Sequence, residues 1–172
     1  MNAALCRQHP SSLHKVAARI EWSTVAEDFE PDGSLRDIYV HDTTRDDWQR
    51  VLEHLKAHHS PLRFMIDSVD APLPANVGDI FAIHKRASPS LGFSIEGVVV
   101  VCHFFTADEI EFDIVPQDVR GPAQLAALQS FMAELGRVTS RVVSLTPENA
   151  PHMPILEFDP LAEAFRYVPP AA

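Results

Sequence analysis

Apolar side chains recur along this chain with two periods, and the switches between them mark out its elements. Over residues 35–41 the period is two, with Ile38 and Val40 on one side and Asp37, Tyr39 and His41 on the other, as in a strand with one buried face. Residues 19–29 also read as a strand. The Pro31-Asp32-Gly33 turn between the two runs presets one φ with proline and permits a positive one with glycine, so a hairpin is expected. At Trp48, Val51, Leu52 and Leu55 the spacing changes to i, i+3, i+4, i+7. Thr44, three residues ahead of Asp47, is placed to open that amphipathic helix with a capping box, and Pro61 stops it beyond His58 and His59.

The pattern then returns to strands, expected over residues 62–67, 80–85, 91–96, 98–105 and 110–115 and joined as an antiparallel meander with a longer loop over 69–79. In the last of them Ile110, Phe112 and Ile114 point inward while Glu111 and Asp113 point to water. A second helix starts at Gly121-Pro122 with a stripe of Leu125, Leu128, Phe131, Met132 and Leu135, and further strands follow over 141–145 and 155–158. Hairpin, meander and two helices that do not alternate regularly with strands predict an α+β fold: a mainly antiparallel twisted sheet with both helices on one face. One domain over residues 19–168 is expected, with a flexible tail over 1–18 and a frayed end over 169–172.

Composition narrows the function classes. Twenty-four acidic against fourteen basic residues give a formal charge of −10, which disfavours phosphate backbones and anionic membranes and favours a basic protein partner. The longest apolar segment, residues 98–105, is strand-length and carries His103, so no membrane span is expected. Two cysteines, Cys6 and Cys102, encode no disulfide framework, and a cytoplasmic setting follows as the expectation. The first twenty residues lack Asp and Glu and carry Arg7, Lys15 and Arg19, a composition shared by loose tails and transit peptides.

No phosphate-binding glycine loop, nucleophile elbow, Cys-x-x-Cys or zincin motif is present, so no cofactor and no catalytic residue are assigned. Cys102 and His103 adjoin on a strand and therefore face opposite sides, which speaks against a dyad. His54 and His58, four apart on the first helix with His59 beside them, are the one metal-binding alternative, short of a third ligand. The acidic residues Glu96, Asp108, Glu109, Glu111 and Asp113 are expected to gather into a patch around the meander. Trp22, Tyr39 and His41 stand beside it as aromatic and imidazole contacts, and Asn149 lies in a stiff loop after a strand end.

In general character, a compact acidic α+β domain without catalytic signatures resembles the immunity proteins that bacteria pair with polymorphic toxins, although no motif carries that likeness. It implies a noncatalytic inhibitor that occludes a basic toxin or enzyme with an acidic sheet face. The alternatives are a small enzyme or metal-binding domain built on His54 and His58, or on His103 with nearby carboxylates, and a homodimeric accessory protein.

Overall fold

The structure is a computed structural model, and it describes residues 18–169. The expected tail and frayed end therefore fall, but for Ala18 and Pro169, outside the described residues. Residues 36–41 form the strand β1 (Arg36–His41), with Ile38 and Val40 fully buried. The segment before it is not a strand. Trp22, Val25 and Phe29 recur at i, i+3, i+7, and this spacing winds the chain into α1 (Trp22–Val25) and a 3-10 turn (Ala26–Phe29), with Trp22 stacked on Phe29 at 5.9 Å. The expected hairpin is replaced by this helical corner, and Ala18 instead makes a parallel bridge to Ala164.

The helix α2 (Arg45–His58) opens on the expected capping box. The Thr44 hydroxyl accepts from the Asp47 N–H, and the Asp47 carboxylate accepts from the Thr44 N–H at 2.9 Å. Two short strands follow, β2 (Arg63–Ile66) and β3 (Val69–Asp70), the second lying inside what reads as loop. Residues 80–85 are helical rather than extended. Val77, Ile80 and Phe81 are buried at helical spacing in α3 (Val77–His84), whose first free N–H donates to Gln49 Oε1 at 2.8 Å.

The meander is formed by β4 (Pro89–Ile95), β5 (Val98–His103) and β6 (Glu109–Ile114). After a 3-10 turn (Pro116–Asp118), α4 (Pro122–Thr139) runs past Gly136 to a left-handed cap at Ser140. The chain closes with β7 (Val143–Pro147), β8 (Leu156–Asp159) and β9 (Ala164–Tyr167), the last of which has no period strong enough to announce it.

The nine strands make one sheet in the order β3-β2-β4-β5-β6-β1-β7-β8-β9, antiparallel throughout. The described residues hold four α-helices, two more than the sequence pattern marks, and the fold is α+β as expected. The stripe of α4 is buried to the last residue, each side chain contributing about 2 kcal/mol before conformational entropy is charged against it. That helix packs across β8, β7, β1 and β4 and against α2. Its approach to β8 needs Gly136: a Cβ there would stand 2.6 Å from Phe158 Cδ1. With the helices on one side, the alternate positions of the central strands are left to form a second, polar face.

Candidate functional site

Strand register assembles that second face row by row, because residues directly opposite in an antiparallel pair point the same way. One row runs Val101, Asp113, Asp37, Thr146 across β5, β6, β1 and β7; the next runs His103, Glu111, Tyr39, Ser144; and His41 faces Glu109 beyond them. Three carboxylates on two adjacent strands are thereby crowded together. One oxygen from each of Asp37, Glu111 and Asp113 lies within 4.8 Å of the other two.

Each member is held differently. Asp37 is only 1% exposed; its Oδ2 accepts from the Asn149 N–H at 2.7 Å and from the Tyr39 hydroxyl at 3.0 Å, while its Oδ1 has no hydrogen-bond partner among the described residues. Burial pushes the Asp37 carboxyl above its usual range, and the Asn149 and Tyr39 hydrogen bonds pull partly back. Asp113 Oδ2 meets His103 Nε2 at 2.8 Å, and this contact holds the imidazole above its ordinary pKa. Glu111 has only the Tyr39 hydroxyl, at 3.3 Å, to offset burial and the charges of Asp113 and Asp37, and it is pushed up to about 7. Burial and the same carboxylates hold the Tyr39 hydroxyl far above its ordinary value, so it remains a donor.

Around this centre lie a histidine–carboxylate contact and an exposed ring. His41 Nδ1 stands 2.8 Å from Glu109 Oε2, and the His41 ring stacks on Tyr39 at 5.4 Å. Phe105, 53% exposed, lies flat on His103 with ring centroids 5.2 Å apart. An open groove of about 680 Å³ adjoins the face at His41 and Ser144 and continues past Arg141, His152 and Glu157.

The residues singled out from sequence are distributed unevenly. Tyr39, His41, Glu109, Glu111 and Asp113 are brought together, and Asn149, in a left-handed conformation, supplies the backbone donor that closes over Asp37. Asp108 is exposed in the β5–β6 loop, where its carbonyl accepts from the Thr43 N–H at 2.9 Å. Glu96 is not part of the patch: it occupies the β4–β5 turn, at the end of β5 opposite His103. Trp22 is not on a strand beside Tyr39, being half-buried in the helical corner against Phe29. Cys102 is buried while the His103 ring reaches Asp113 on the opposite face, as strand alternation requires.

Two participants have weak sequence signals. Asp37 shares the phase of Tyr39 and His41, and that phase alone points to it. Phe105 lies two residues past the end of β5, so strand alternation does not fix where its ring lies.

No protein-family model, curated protein or solved structure matches this chain. Among the described residues no helix is long and apolar enough to cross a membrane.

Proposed function

We propose that this protein is a noncatalytic binding domain whose polar sheet face receives a basic segment of a protein partner, in the manner of an immunity-type inhibitor. The observation that carries the reading is the stacked edge of the face. Half-exposed Phe105 lies on His103, His103 holds Asp113, and Asp113 crowds against Glu111 and Asp37. An exposed aromatic beside concentrated, incompletely neutralised negative charge suits a partner that presents Arg or Lys next to an apolar contact. Burial and the neighbouring carboxylates lift Glu111 to about 7, and a guanidinium placed between Glu111 and Asp113 would offset them, so binding would expel a proton from Glu111. Affinity accordingly rises with pH up to about 7 and weakens with added salt.

The test is a titration of isotope-labelled protein with a short arginine-rich peptide, followed by NMR at the backbone amides and the Glu111 side-chain carboxyl. Shift changes confined to His103, Phe105, Glu111 and Asp113, with the Glu111 midpoint falling as peptide is added, are expected. Perturbation elsewhere with Glu111 unmoved contradicts the proposal.

A further inference from the structure

A second cluster of chemically able side chains lies away from the polar face, where the end of α2 meets α4. His54 sits one turn before the end of α2. His59, the C-cap, leaves helical geometry at φ −120° and ψ 32°, and this departure swings its ring toward the ring of His54 instead of onward around the helix. The polar flank of α4 supplies Glu134. Both imidazoles converge on one of its oxygens: His54 Nε2 is 3.1 Å and His59 Nε2 is 2.8 Å from Glu134 Oε2. The three ligand atoms all lie within 4.8 Å of one another.

We infer that His54, His59 and Glu134 form a binding site for a divalent transition-metal ion of the zinc type. A zinc ion bonded at about 2.0–2.1 Å in tetrahedral geometry separates neighbouring ligand atoms by about 3.3 Å. The two nitrogen–oxygen distances are close to that edge length, and the flexible Glu134 side chain can open the rest. Two imidazoles with one carboxylate favour zinc or cobalt over magnesium or calcium, which take all-oxygen sets. Three protein ligands leave a fourth position for water, and the exposed His58 ring lies close by, 4.5 Å from that of His54.

The surroundings are built for a fixed ligand. The His59 ring packs against Phe93 at 5.2 Å and Phe131 at 5.4 Å, two rings that also touch each other. Side-chain exposures of 18% for His54, 11% for His59 and 33% for Glu134 leave the site open to an entering ion but shielded from bulk water. The carbonyl end of α2 also favours a cation there. The sequence pairing of His54 with His58 is thus replaced by His54 with His59, and the missing third ligand comes from another helix.

The test uses the full chain, stripped with chelator and titrated with zinc chloride by calorimetry, with cobalt absorption as the report of coordination. One ion per chain, cobalt bands of tetrahedral intensity and a raised melting temperature are expected. Glu134→Gln, which keeps the size of the side chain, should weaken binding by at least about tenfold, as should His54→Ala, while His41→Ala leaves it unchanged. No saturable binding by the wild type, or equal binding by the wild type and Glu134→Gln, would overturn the assignment. Neither result bears on the polar face, which shares no residue with this site.

Discussion

The Tyr39 hydroxyl lies 3.0 Å from Asp37 Oδ2, two residues back along the same strand, and it also faces Glu111 across the strand pair at 3.3 Å. A single hydroxyl hydrogen cannot serve two carboxylates fully. When Glu111 carries its proton, that proton can donate to the Tyr39 oxygen and leave the hydroxyl to Asp37, giving a chain of hydrogen bonds that ends on a buried carboxylate.

Tyr39→Phe removes the middle of that chain. Asp37 Oδ2 keeps only the Asn149 N–H, and a buried carboxylate loses one of its two donors. A loss of about 1–2 kcal/mol of stability is expected in urea unfolding. Since the Tyr39 hydrogen bond acts to lower the Glu111 pKa, the Glu111 titration should move upward in this variant.

Glu111 also makes stability depend on pH with a definite sign. Its pKa is 4.5 unperturbed and about 7 in the folded protein. The folded state therefore holds a proton that the unfolded state releases, and stability falls as pH rises through that window. The contribution is complete below about 4.5, lost above about 7, and flat beyond. Glu111→Gln has no such titration. Relative to wild type it should be more stable at pH 8 than at pH 4.5 by about 1 kcal/mol, once water screening of a partly exposed carboxyl is allowed for. Urea midpoints of the two proteins at both pH values check this; a difference that stays constant would show that Glu111 titrates normally.

Gly136 is where α4 comes closest to the sheet, and Phe158 occupies the space a side chain would need. Gly136→Ala gains helix propensity of about 1 kcal/mol, but it sets a methyl group against a fully buried ring and the carbonyl of Arg141 at 3.3 Å. Overpacking wins, and a net loss of about 1–3 kcal/mol is expected, read as a lowered melting temperature. Phe158→Leu in the same chain should restore part of it.

Legibility in the sequence followed the strength of the local period. β1, α2, β6 and α4 each present alternating or helical apolar positions and β5 a continuous apolar run, and each appears where the pattern puts it. The misreadings fall where a short apolar run fits both periods. Val77, Ile80 and Phe81 look strand-like if the run is begun at Ile80, and helical only when Val77 is included. Trp22, Val25 and Phe29 have the same ambiguity, which tertiary packing resolves. Register could not be read at all. The carboxylate cluster depends on β1 lying beside β6 although two helices and four strands separate them along the chain, and no local signal encodes that pairing. Glu134 has the same cause: its partners His54 and His59 come from a helix that only the packing of α2 on α4 brings near.

The central claim is that the face bearing Phe105, Glu111 and Asp113 holds a basic protein. The most direct measurement is quantitative co-purification from the native host with tagged wild type, Phe105→Ala and the Glu111→Gln/Asp113→Asn double variant, each checked for folding by its melting curve. Each is washed in low salt and in about 0.5 M salt, where charge interactions are screened within a few ångströms. The account predicts one basic protein held by the wild type at one copy per chain in low salt, depleted by high salt and absent from both variants. A wild type that retains no such protein, or a partner held equally by all three, would contradict it.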